Sequence, residues 1–241
     1  MLFIVFAIAA ISCKQRPEPF DESRLYAIDE LYVQKTYRDL SQVKNEPVEQ
    51  VTKLVYFNMN ASRVPAEIFA LKYLNSLELT KNKISHLPKK TADLQYLQSI
   101  YLRMNAFKKF PSILYRLDHL HIVDLSDNMV KKLPDDLDRL KAIEELYLVN
   151  NMIVQLPSSL YRCKTLRILN LNNNQLSAVS DSLAGLVHLE KLMLRHNSFT
   201  GLPGVLHEMR NLKYLELSNN QIPRAELEKF AAENPRIKVT F

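Results

Sequence analysis

A leucine-type residue recurs every 23 residues through most of this chain, at Leu74, Leu97, Leu120, Ile143, Leu166, Leu189 and Leu212. Counting back one more period reaches Val51, which makes eight units. Self-similarity at a period of this size means stacked copies of one supersecondary unit, not a globule built around one centre. Each unit follows L-x-x-L-x-L-x-x-N-x-L-x-x-L-P. The fourth reads Leu120, Val123, Leu125, Asn128, Val130, Leu133 and Pro134, and the seventh reads Leu189, Leu192, Leu194, Asn197, Phe199, Leu202 and Pro203.

Alternation across Leu-x-Leu puts both leucines on one face of a short strand and the residue between them on the other. One strand per unit predicts one parallel sheet. The Asn falls where the chain leaves that sheet, and its amide can donate to and accept from backbone groups that would otherwise be buried unpaired. Asn82, Asn105, Asn128, Asn151, Asn174, Asn197 and Asn220 form this column, with Met59 in the first unit. After the Pro, apolar residues recur three apart, as at Leu114 and Leu117 or Leu160 and Cys163. That spacing predicts short helical or 3-10 legs on the convex side. The sixth unit carries Ser180 in place of the Pro, and the second carries Thr91 at an apolar site. On these residues the chain resembles the leucine-rich-repeat proteins, including bacterial members. The resemblance implies an α/β solenoid, a curved horseshoe with its parallel sheet on the concave face.

The ends of such a stack need covering. Residues 51–222 are assigned to the solenoid and 37–50 to an N-terminal cap helix around Leu40 and Val43. Residues 223–241 are assigned to a C-terminal cap, with a helix over Ala225 to Ala232 and a last strand over Ile237 to Phe241. Residues 13–36 carry proline and charge with little pattern and are assigned to a tether. The first twelve residues are almost wholly apolar, too short to span a bilayer, and end in small residues before Cys13. Ala10-Ile11-Ser12-Cys13 resembles a bacterial lipobox, which implies export, a lipid anchor on Cys13 and a place in the cell envelope, in the periplasm or at the cell surface. Ala10 departs from the usual Leu, and no Lys or Arg precedes the apolar run.

Composition excludes more than it selects. The chain has 241 residues, with 39 Leu but only 3 Gly, and Gly185, Gly201 and Gly204 form no phosphate-cradling loop. Only Cys163 accompanies Cys13, so no disulfide framework exists; Cys163 occupies a Leu site and is expected to be buried packing. His121 and Asp124 point to opposite faces of a strand, and no Ser, His and Asp set converges. No metal, no cofactor and no enzymatic activity are therefore expected.

Function is expected on the concave face. The column between the strand leucines runs Val55, Glu78, Tyr101, Asp124, Tyr147, Asn170, Met193 and Glu216, and the column two residues on includes Arg103, Asn172 and Arg195. Strands about 4.8 Å apart make this surface roughly 38 Å wide over eight units, enough for a protein or extended polymer. Tyr, Met and Arg are enriched at binding hot spots. Tyr101, Arg103, Asp124, Tyr147, Asn170, Asn172, Met193 and Arg195 are the expected partner-binding residues, on a monomer. The formal net charge is +6, and Lys81, Lys83, Lys89, Lys90, Lys108, Lys109, Lys131 and Lys132 come from three consecutive units. This flank offers a second reading, contact with anionic lipid or polymer. Nucleic acid is not expected, since no reader motif is present.

Overall fold

The computed structural model describes residues 21–241. Its frame is one ten-stranded parallel sheet in strict chain order. Eight strands come from the repeats: β2 (Lys53–Val55), β3 (Ser76–Glu78), β4 (Ser99–Tyr101), β5 (Ile122–Asp124), β6 (Glu145–Tyr147), β7 (Ile168–Asn170), β8 (Lys191–Met193) and β9 (Tyr214–Glu216). They flank the expected leucines, and equivalent residues pair in register, as Tyr101 with Asp124 and Asp124 with Tyr147. The inward leucines, among them Leu102, Leu125, Leu148, Leu171 and Leu194, are fully buried in a core that runs the length of the stack. Each such side chain stabilises the fold by about 1.5–3 kcal/mol.

The convex legs are 3-10 turns, such as Ser112–Arg116, closed by Leu114 N–H donating to Pro111 O at 3.1 Å. Pro65, Pro88, Pro111 and Pro203 sit immediately before their turns, where a missing N–H costs nothing. Ser180 replaces proline functionally: its side chain accepts from Ser182 N–H. Gly185, in the same turn, is there for space, since a Cβ would lie 2.6 Å from the Tyr161 carbonyl oxygen.

The asparagine column forms the ladder its chemistry suggests. Asn128 Oδ1 accepts from Phe107 N–H at 2.9 Å, while its Nδ2 donates to Leu102 O of the previous coil and Leu125 O of its own. Asn151, Asn174 and Asn197 repeat the arrangement. The residue just before each ladder Asn takes a left-handed backbone: Lys81, Met104, Asp127, Asn150, Asn173, His196 and Asn219 all have φ between 51° and 58°. Among the described residues no glycine has positive φ. The turn is thus made by the Asn bonds together with a left-handed residue that is not glycine, at some strain where that residue is Lys, Met or His.

Both ends differ in detail from expectation. The N-terminal cap opens with a strand, β1 (Thr36–Tyr37), which pairs with β2 and buries Tyr37 against the first coil. The cap helix shrinks to α1 (Leu40–Val43), capped by Asp39, because β-branched and aromatic side chains at Thr36 and Tyr37 suit the open sheet edge better than a helix. At the other end α2 (Arg224–Glu233) buries Leu227 and Phe230, and β10 (Lys238–Thr240) covers the edge of β9. Among the described residues no helix is long and apolar enough to cross a membrane. Cys13 and the apolar run before it lie outside the described residues.

The largest departure concerns residues 21–36, expected as tether. They form two 3-10 turns, Glu22–Arg24 and Glu30–Tyr32, and lie back against the sheet. This strap is held by contacts that no local pattern encodes. Asn75 Nδ2 donates to Arg24 O at 2.9 Å, Lys53 Nζ donates to Leu31 O at 3.2 Å, and Leu31 is only 2% exposed.

Candidate recognition surface

The strands hold the predicted residues side by side. Tyr101, Asp124, Tyr147, Asn170 and Met193 sit at equivalent positions of β4 to β8 and are mutual register partners. All five are half-buried. Arg103, Asn172 and Arg195 follow two residues on, with both arginines exposed.

Their chemistry falls into two groups. Under and beside the strap, Tyr147 O–H donates to Glu145 Oε2 at 2.8 Å, and the Tyr32 hydroxyl lies close to that of Tyr101. Burial, reinforced by Tyr32 at Tyr101 and by Glu145 at Tyr147, pushes both phenols far above their ordinary range, so both stay neutral. Burial also raises Asp124, against the opposing pull of the Ser126 hydrogen bonds. Arg103 is tied to Asp127 at 2.7 Å, and Asp127 also accepts from Asn150 Nδ2. Further along, Asn172 Oδ1 accepts from Arg195 N–H and its Nδ2 donates to Glu216 Oε2. Among the described residues the Arg195 guanidinium has no hydrogen-bond or ionic partner, and Arg195 is exposed, leaving it available to a partner.

The strap divides the face. In the column two residues upstream of Tyr101, Ser76 and Ser99 are buried and Ile122 is 1% exposed, whereas Glu145 and Ile168 are half-buried and Lys191 is exposed. The face is therefore closed along its upstream edge over β3 to β5 and opens from β6 onward. Residues outside the predicted set take part: Asn75, Gln98, Ile122, Glu145 and Tyr32. The one sequence signal for the strap is the three-residue spacing of Leu25, Ile28 and Leu31, the same spacing as in the convex legs.

Beside the sheet, His121, Glu144, Arg167, Glu190 and Lys213 form a ladder of ion pairs, with Arg167 Nη2 at 2.8 Å and Lys213 Nζ at 2.9 Å from Glu190. The basic ends at Arg167 and Lys213 are exposed, while Glu144, Glu190 and His121 are half-buried, so solvent screens the arginine and lysine pairs and each contributes little to stability. Away from the sheet face, a groove of about 820 Å³ runs between Lys89, Lys108, Lys109 and Arg116 over a floor that includes Phe107, Phe110 and Ile113. Among the described residues no three or more His, Cys, Asp or Glu gather at a common point. Cys163 is buried in its Leu site and burial pushes its thiol up to about 12, so it is a packing residue with no thiolate at neutral pH.

Comparison with known proteins agrees with this architecture. Residues 157–222 match the leucine rich repeat family. A leucine-rich-repeat protein of Leptospira interrogans is 30% identical, with a TM-score of 0.67 over 80% of this chain and 55% of its own. A plant peptide hormone receptor in complex with RGF2 is 26% identical, with a TM-score of 0.61 over 78% of this chain and 31% of its own. An internalin of Listeria monocytogenes shares the fold at 21% identity and a TM-score of 0.67, covering 86% of this chain and 66% of its own. The chain thus spans about half the length of the Leptospira protein and a third of the plant receptor. No protein of curated function matches the sequence. The fold is a leucine-rich-repeat solenoid.

Proposed function

We propose that this chain is a non-enzymatic recognition module that binds a protein or peptide on its sheet face. The observation that carries this reading is the open half of the face. From β7 onward, Asn170, Met193 and Arg195 stand on the sheet face, with Asn170 and Met193 half-buried and Arg195 exposed, and Met and Arg are enriched at binding surfaces. The similar plant receptor is a peptide hormone receptor, which fits a peptide or protein partner here. In the same reading the chain is exported and held at the cell envelope by lipid on Cys13.

The test is capture of the partner, followed by Met193→Ala and Arg195→Ala together. A loss of affinity of at least tenfold is expected, about 1.4 kcal/mol; unchanged affinity removes the sheet face from the proposal. For the anchor, palmitate labelling should disappear in Cys13→Ala.

The groove between Lys89, Lys108, Lys109 and Arg116 favours a second reading, in which this flank rests on anionic lipid or polymer. Binding to anionic vesicles that collapses with added salt, and survives the Met193 and Arg195 substitutions, would select it.

A further inference from the structure

The strap's hydrogen bonds to the repeats are mostly made by its backbone, while its side chains add the Arg24 guanidinium 4.0 Å over the Tyr73 ring, the Tyr32 hydroxyl beside that of Tyr101, and Leu31. Gln98 Nε2 donates to Tyr26 O at 2.6 Å, and Tyr26 N–H donates to Gln98 Oε1 at 2.8 Å, a reciprocal amide pair. Asp21 N–H donates to Tyr96 Oη, Asn75 Nδ2 donates to Arg24 O, and Lys53 Nζ reaches Leu31 O and Tyr32 O. Side chains from three consecutive repeats thus read backbone groups along the strap. Those backbone contacts are indifferent to side-chain identity, so another peptide whose carbonyls and N–H groups follow the same path can make them. Leu31 is the one fully buried residue of segment 21–34, with Leu25, Tyr26 and Ile28 half-buried.

The strap is also built to leave. Its two helical turns have three residues each, and Asp21, Glu22, Asp29 and Glu30 are all exposed without an ionic partner on the sheet. Its tip presents Tyr32 at 58% and Val33 at 80% exposure, beside Tyr101 and the open half of the face. A segment with one buried anchor and mostly exposed residues belongs to the low-stability end of a structure.

We propose that residues 21–34 are a built-in occupant of the recognition surface, and that the outside partner is an extended peptide that displaces them. This rests on the sheet face being the recognition surface. The partner places an apolar side chain where Leu31 sits, pairs its backbone with Gln98, and continues over Tyr147 toward Met193. The added length is needed because the tethered strap competes at an effective concentration of the order of millimolar.

The probe is a labelled synthetic peptide of residues 21–34, added to the full-length chain. Wild type should bind it weakly, because the tethered copy holds the site. Leu31→Asp, which loosens the strap, should bind it at least tenfold tighter, and adding Gln98→Ala should cancel the gain. Equal binding by wild type and Leu31→Asp overturns the proposal. Amide hydrogen exchange on the wild type supplies a readout independent of any variant's folding. The N–H groups of Asp21 and Tyr26 should exchange at least a hundredfold faster than that of Val130 in the core ladder. Exchange at the same rate makes the strap a fixed cap and overturns the proposal. If the peptide behaves as expected while no protein partner is ever captured, the functional reading fails and the displaceable strap stands.

Discussion

The asparagine ladder predicts a specific failure of additivity. Asn151 Oδ1 accepts from the buried Val130 N–H at 2.9 Å, and its Nδ2 donates to Leu125 O at 3.0 Å and Leu148 O at 3.2 Å. Those two carbonyls are shared with neighbouring rungs: Asn128 also donates to Leu125 O, and Asn174 to Leu148 O. Asn151 Nδ2 also reaches Val149 O, which accepts from Asp127 N–H as well, so Asn151→Ala orphans one N–H outright and weakens three carbonyls without stranding them. An orphaned buried donor costs about 1–3 kcal/mol and each weakened bond about 0.5 kcal/mol, so about 3 kcal/mol is expected. Asn174→Ala orphans Ile153 N–H in the same way and should cost about as much. In the double variant Leu148 O loses both amide donors. The combined cost should exceed the sum of the single costs by about 1–2 kcal/mol, the price of one stranded carbonyl. Pairing Asn151→Ala with Asn220→Ala, three rungs away and with no shared carbonyl, should be additive within about 0.5 kcal/mol. Equilibrium urea unfolding followed by circular dichroism measures all of these. A coupling near zero for the adjacent pair, or one equal to that of the distant pair, would refute the shared-carbonyl argument.

Three further outcomes follow from individual residues. Thr91 occupies a leucine site, is fully buried, and its hydroxyl has no partner; Thr91→Val should raise stability by about 1–2 kcal/mol in the same urea assay, and a loss would mean the hydroxyl is satisfied. Met104 has φ 54° where equivalent positions carry Asn150 and Asn173; Met104→Asn should stabilise by about 0.5–1 kcal/mol, read as a melting-temperature rise of about 1–4 °C. Asp124 has its carboxyl raised above the ordinary 3.8, chiefly by burial, so its contribution to stability is fully present below that value and is lost as pH rises through the folded value. Asp124→Asn should therefore stabilise the fold at pH 7, with the gain vanishing as pH falls below 3.8; a gain of constant size across that range would exclude ionisation as its cause.

What was legible from the amino acids is what repeats. The inward leucines, the outward columns and the asparagine rungs follow from a period of 23 and the alternation of a strand, and each is confirmed by neighbours one period away. The left-handed residue before each rung was harder to see, because Lys81, Met104, Asp127 and His196 share a place in the period but no side-chain chemistry. The strap was harder still. Its bonds to the repeats join residues 21 to 75 positions apart, from Tyr32 with Lys53 through Arg24 with Asn75 and Tyr26 with Gln98 to Asp21 with Tyr96, and no second copy reinforces them. Ile122 and Ile168 make the point physically. They are the same residue at the same register of the repeat, two coils apart, and periodicity assigns them the same face. Yet Ile122 is 1% exposed and Ile168 is half-buried, and Ile122 lies in the coil between Tyr101 and Tyr147, the two residues that the strap's Tyr32 acts on. Register decides which side a residue faces, and only a non-periodic segment decides whether that side is open. The expected eight-residue surface is therefore not uniform: Tyr101, Arg103, Asp124 and Tyr147 are already engaged by Tyr32, Asp127, Glu145 and burial, while Asn170, Asn172, Met193 and Arg195 line the half beyond the tip of the strap, the direction in which a partner that displaces the strap extends.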